Sequence, residues 1–140
     1  MGALSNYLES GILNHIFKQV PYVAPSSLYI GLNKSFIVND LESGIADEPT
    51  TGSYARQQYI SSGNRWANPY QLNSSMAIHN NYAIEFPLAT AAIGLISGVF
   101  ISDAPTSGNI LFFAALSSSR NIREGDQFTI PSGSLKVTLD

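Results

Sequence analysis

A chain of 140 residues with 12% charged side chains, a net charge of −3 and no cysteine has the size of one domain and excludes several classes at once. Its seven scattered Lys and Arg against ten Asp and Glu cannot supply the clustered positive charge of a nucleic-acid binder, and without thiols there are no disulfides or thiolate metal sites, compatible with a reducing cytoplasm. A hydrophobic share of 44% over so few charges predicts a neutral surface suited to burial against neighbours, so assembly is expected.

A helix is predicted over residues 4–20. Leu8, Ile12, Ile16 and Val20 recur every four positions, flanked by Leu13 and Phe17, which makes one apolar stripe. Ser5 is the expected N-cap, Glu9 and Lys18 suit the helix dipole, and Pro21 marks the exit. Tertiary packing is what stabilises a helix of this length, so the stripe is expected to be buried against the body, with a docking arm as the alternative. Ser5, Asn6, Glu9, Asn14 and His15 break up any signal-peptide core, and no run is long enough to cross a bilayer, so no membrane partner is expected.

Strands follow. Ser27–Asn33 alternates Leu28, Ile30 and Leu32 with Tyr29 and Gly31, the pattern of a half-buried strand. Residues 34–53 read as a long, solvated loop whose Asp40, Glu42, Asp47 and Glu48 lack the ligand spacing of a Ca²⁺ loop. Further strands are predicted at 54–60, 74–79, 82–86, Gly94–Ser102 and 110–116. The last is apolar on both faces, which places it mid-sheet. Asn80 and Asn81 are expected to take the positive-φ positions of a hairpin between 74–79 and 82–86. A second hairpin is expected from 126–130 and 134–139, with Leu135, Val137 and Leu139 inward. One helix and about eight strands predict a mainly β, jelly-roll-like antiparallel β-sandwich, a single domain over 1–140 with the helix in 1–20 and the sandwich in 27–140.

Nothing in the pattern assembles a catalyst. His15 and His79 are too far apart in sequence for a Zn motif, and neither a G-x-S-x-G elbow nor a phosphate-cradling glycine loop is present. Glu85 with Asp103 would be a formal acid pair for glycoside hydrolysis, with no reason in the sequence to prefer it. No catalytic residue, metal or cofactor is therefore expected. The candidate partner-binding residues are Tyr54, Arg56, Trp66 and Tyr70. Arg56 can fork onto a carboxylate or carbonyls and pin the long loop, or reach a neighbouring subunit. Trp66 and Tyr70 can form a stacking platform or an interface anchor, or else lid the core.

Several segments, read in order, resemble a widespread family of small bacteriophage virion proteins. They are Ala3-Leu4-Ser5-Asn6-Tyr7-Leu8-Glu9, Leu13-Asn14-His15-Ile16-Phe17, Leu28-Tyr29-Ile30-Gly31-Leu32, Gly52-Ser53-Tyr54-Ala55-Arg56-Gln57 and Glu85-Phe86-Pro87-Leu88-Ala89-Thr90-Ala91, then Ser107-Gly108-Asn109-Ile110-Leu111-Phe112-Phe113-Ala114-Ala115-Leu116 and Gly125-Asp126-Gln127-Phe128-Thr129-Ile130. The resemblance spans nearly the whole chain and departs at 60–73, with Arg65, Trp66 and Tyr70, and in the acidic 40–48 loop. Such proteins decorate capsids or associate with tails. The resemblance thus implies a virion subunit, assembled in the host cytoplasm, whose partners are the major capsid protein or other virion subunits. The expectation drawn from all of this is a homotrimeric decoration (cement) protein binding across capsomer junctions. A tail or baseplate component and a receptor- or carbohydrate-binding module are the alternatives.

Overall fold

The computed structural model describes residues 2–139. Among them are β1 (Gly2–Leu4), α1 (Asn6–Phe17), β2 (Ser27–Asn33), α2 (Val38–Glu42), β3 (Gln57–Ile60), β4 (Tyr70–Leu72), β5 (Ser75–His79), β6 (Ile84–Glu85), β7 (Gly94–Ser102), β8 (Ile110–Ile122), β9 (Thr129–Ile130) and β10 (Lys136–Leu139). The fold is mainly β, as the sequence predicted, and every strand pair is antiparallel. One sheet has the order β1-β8-β7-β2-β3; β10-β5-β4 and β6-β9 form two smaller sheets. Ile30 and Leu32 of β2, Val99 and Ile101 of β7, Ile84, Ile130 and Leu135 gather in one apolar cluster. That cluster draws on all the sheets, an arrangement consistent with a jelly-roll-like sandwich.

β2 is buried on both faces, not one: Ile30, Gly31, Leu32 and Asn33 are all inaccessible. A second cluster of Leu41, Phe100, Ile110 and Phe113, joined by Ala3, Phe36 and Ala46, explains this. The segment 34–53, expected as a solvated loop, folds back as this cluster's cover and carries α2, whose Leu41 is buried. Asn33 directs the return: its Oδ1 accepts from the Asp47 N–H at 2.7 Å and its Nδ2 donates to the Ser35 carbonyl at 2.6 Å. Two glycines make room. A Cβ on Gly31 would lie 2.2 Å from the Phe100 ring, and one on Gly98 would lie 2.5 Å from Phe36. Gly31→Ala is therefore expected to cost about 1–3 kcal/mol through overpacking, read as a lowered midpoint in thermal unfolding; an unchanged midpoint would contradict this packing.

Two expected hairpins are replaced by other pairings. β5 pairs with β4 and β10, while β6 pairs with β9. Neither Asn80 nor Asn81 has positive φ; among the described residues the non-glycine positions that do are Gln19, Asn73 and Ser107. Asn73 makes the turn from β4 to β5, inside a stretch expected to be loop. Asn80 has another task. Fully buried, it donates from Nδ2 to the carbonyls of Tyr82 and Pro131 at 2.8 and 3.0 Å and accepts from the Leu135 N–H at 2.9 Å. It thereby holds the 131–135 crossing between β9 and β10, so those two strands enter different sheets and form no hairpin.

The helix differs most. Ser5 is the N-cap, accepting from the Leu8 N–H at 3.3 Å; its hydroxyl also donates to the Ile110 carbonyl and its N–H to the Leu111 carbonyl. Leu8 is the buried residue of α1. Further along, Tyr22 of the returning chain packs over Gly11, where a Cβ would meet its ring at 2.8 Å, and against Tyr7 at 6.4 Å. The Tyr22 N–H donates to His15 Nδ1 at 3.1 Å. Ile12 is half-buried, and the rest of the expected buried stripe, Leu13, Ile16, Phe17 and Val20, lies in solvent.

Candidate docking surface

Arg56 is the most heavily bonded candidate. It precedes β3, and its side chain is only 9% exposed. Nε donates to Glu48 Oε1 at 2.6 Å, and Nη1 to Ser102 Oγ and to the carbonyls of Ala104 and Ser107 at 2.8, 2.9 and 2.8 Å. Its guanidinium also lies 5.0 Å from the centre of the Phe100 ring, a cation–π contact. The carbonyls it meets belong to a tight turn. Asp103 accepts from the Asn109 N–H and Nδ2 at 2.7 and 2.8 Å, and Gly108 takes a φ of +68° where a Cβ would strike Ala104 and Asp103 at 2.5 Å. Arg56 thus binds the 34–53 cover to the 103–109 turn within one chain, and its bonding groups named here are spent there.

Tyr54 is similarly enclosed. Its hydroxyl accepts from the Leu32 N–H at 2.9 Å, and its ring stacks on Phe86 with centroids 6.2 Å apart. Burial pushes that hydroxyl well above the ordinary phenol range. Nearby on the cover, hydrogen bonding from Ser35 and the charge of Lys34 hold the Asp47 carboxyl below its usual value. Trp66 is half-buried, edge-on to Tyr59 at 5.1 Å and packed against the main core. Tyr70 turns elsewhere, meeting His79 at 5.3 Å. The two aromatics therefore make no shared platform. Trp66 lines an apolar groove of about 400 Å³ with Leu28, Met76, Phe112 and Val137. His15 and His79 remain on separate elements, and no group of three His, Cys, Asp or Glu among the described residues could hold a metal ion.

Much of the α1 stripe that the sequence reading placed inside is exposed. Leu13, Ile16 and Phe17 of α1 are 57%, 63% and 77% exposed, and Val20 and Val23 just beyond are 55% and 84% exposed. Positions 13, 16 and 17 fall on one face of a helix, away from the Gly11 face over which Tyr22 of the returning chain packs. Scattered exposed apolar residues are ordinary on a monomer, but three large ones on one face of a single short helix form a patch of the kind that marks protein interfaces. No helix among the described residues is long and apolar enough to cross a membrane.

A family model described as podophage GP4 fiber I protein gp80 matches residues 3–138. The chain belongs to this family. It is a structural protein of the phage virion, located in the particle in association with other virion components. No curated protein matches the chain. The fiber-family match covers both the sandwich and α1, so the exposed ridge belongs to the family's own domain and is not an appendage outside it.

Proposed function

We propose that the protein is a fiber- or tail-associated structural subunit, without catalytic activity, that docks onto neighbouring virion chains through the apolar ridge of α1. The observation that carries this is the exposure of Leu13, Ile16 and Phe17 on one face of α1, with Val20 and Val23 also exposed beyond it, in a chain whose family is named for a fiber protein. Burying a large apolar side chain stabilises by about 1.5–3 kcal/mol, so a partner covering several of these would gain enough to hold a subunit in place. The fiber description favours the tail-associated alternative over capsid decoration. Homotrimerisation through the same ridge is one form such docking could take.

The test is a paired substitution. Ile16→Asp with Phe17→Asp is expected to leave unfolding within about 0.5 kcal/mol of the parent, the range of surface changes, while sharply reducing incorporation into particles assembled with the variant. Normal incorporation would reject the ridge as the docking face. A density map of the virion with the subunit on the head and away from the tail would reject the tail-associated reading in favour of decoration. Sedimentation of the isolated protein at micromolar concentration, compared between parent and variant, tells self-association from docking to a different chain.

A further inference from the structure

We infer that the cleft beside the C-terminal half of β8 receives an extended peptide segment of a neighbouring virion chain, added as a strand to the open edge of the five-stranded sheet. The inference rests on the virion-subunit reading but uses a surface separate from the α1 ridge.

β8 runs from Ile110 to Ile122, yet β1 covers it only at Phe112, Phe113 and Ala114. On its other side β7 pairs Gly98 with Ala115 and Ile96 with Arg120, so Leu116, Ser117, Ser118 and Ser119 stand against Ser97 alone. These four residues consequently have no register partner on either side among the described residues. Backbone N–H and C=O groups need a partner; water can serve in the free subunit, and a strand can serve in an assembly. The Ser5 N–H donates to the Leu111 carbonyl, so odd-numbered residues of β8 turn their backbone groups toward the β1 side before the bulge. A strand on the same side beyond Ala114 would meet the backbone groups of the bulged residues 116–119 themselves.

Natural sheets blunt an open edge with charge, proline, shortness or a bulge. Here a bulge is present, but residues 115–119 read Ala-Leu-Ser-Ser-Ser, with neither charge nor proline. Beside them opens a cleft of about 950 Å³. Its buried lining is apolar, from Val99, Ile122 and Leu135, and its exposed lining is polar, from Ser117, Asn121 and Gln127. Across it, Lys136 and Thr138 belong to β10, the end strand of its own sheet. A cleft bounded by two strand edges, apolar within and polar outside, fits a segment whose side chains alternate every second residue. Main-chain bonds would supply affinity and the apolar lining selectivity. Arg120 and Lys136 outnumber Asp126 along the lining, which favours an uncharged or mildly acidic occupant.

Hydrogen–deuterium exchange of the isolated subunit and of intact particles tests this. Amides 116–119 are expected to exchange at least about tenfold more slowly in the particle than in the free subunit. Equally fast exchange in a particle that contains the subunit would overturn the strand while leaving the virion role intact, and absence of the subunit from the particle would overturn both. Ser117→Pro removes a backbone N–H that Ser117→Ala keeps, so the proline variant is expected to lose about tenfold in incorporation while the alanine variant does not. Equal incorporation of two folded variants would mean that whatever occupies the cleft, a glycan included, is not a paired strand. Should the proline variant fail to fold, the exchange comparison decides alone.

Discussion

Replacing Arg56 with alanine is expected to destabilise the fold by about 3–5 kcal/mol, the range seen when one partner of a buried ion pair is removed. Its loss would leave the Glu48 carboxylate without its cation and the Ser107 carbonyl without its donor, and would remove the stronger of two donors to the Ala104 carbonyl. Phe100 would lose the guanidinium packed on its ring as well. Lysine should rescue little, because one ammonium on a flexible stem cannot meet Glu48 in one direction and the 103–109 turn in another, as the rigid fork does. The measurement is urea denaturation of the parent, Arg56→Ala and Arg56→Lys. A loss below about 1 kcal/mol for alanine, the size of an exposed pair, would mean that the network contributes little. As a fraction of the 5–15 kcal/mol that holds an ordinary domain, the predicted loss is large enough to leave part of the chain unfolded at the temperature of infection.

Asn80→Ala is expected to cost about 3 kcal/mol or more. Its amide meets the Leu135 N–H and the carbonyls of Tyr82 and Pro131 in a fully buried position; its loss leaves the Leu135 N–H unpaired, at about 1–3 kcal/mol, and removes two further bonds, each of about 1 kcal/mol, to carbonyls that also meet the Tyr59 hydroxyl and the Ser134 N–H. Asn80→Leu provides the control. It refills the volume with an apolar side chain, so a similar loss would assign the effect to unmade hydrogen bonds, whereas recovery of stability would assign it to the cavity. Unfolding midpoints in denaturant read both. Residues 131–135 should also exchange their amide hydrogens faster in either variant, since Asn80 is what holds that crossing in place.

Both predictions concern residues whose roles depend on distant parts of the chain. Arg56 reaches Ser107 and Asn80 reaches Leu135, 51 and 55 positions away. Local pattern carries no record of such partners. A surface arginine and a turn asparagine would look the same in the sequence. Asn80-Asn81 illustrates the limits of local chemistry: the pair suits positive φ, but burial of Asn80 beside the Leu135 N–H and the carbonyls of Tyr82 and Pro131 favours a hydrogen-bonding hub in extended backbone. The serines after Leu116 pose a similar problem. They look like loop, although β8 continues through them to Ile122 with a bulge.

What the amino-acid order determined by itself was whatever depends on near neighbours. Alternation placed β2 and a run of strand-forming residues placed β7 at the observed bounds, Ser5 capped α1, and the succession of short strand-like runs pointed to a mainly β fold, because strand pleat, helix period and capping operate over two to four residues. Only the tertiary structure decided which faces were covered. Residues 34–53 became a lid because Gly31 and Gly98 leave space for Phe100 and Phe36 on the outer face of the sheet. The C-terminal part of the α1 stripe stayed in solvent, while the sheet holds the helix at its N-terminal end through Ser5 and Leu8. An amphipathic period states that a face must be buried. It does not state whether the apolar surface that covers it belongs to the same molecule or to the next one in the particle, since the hydrophobic effect rewards area removed from water without regard to which chain supplies it.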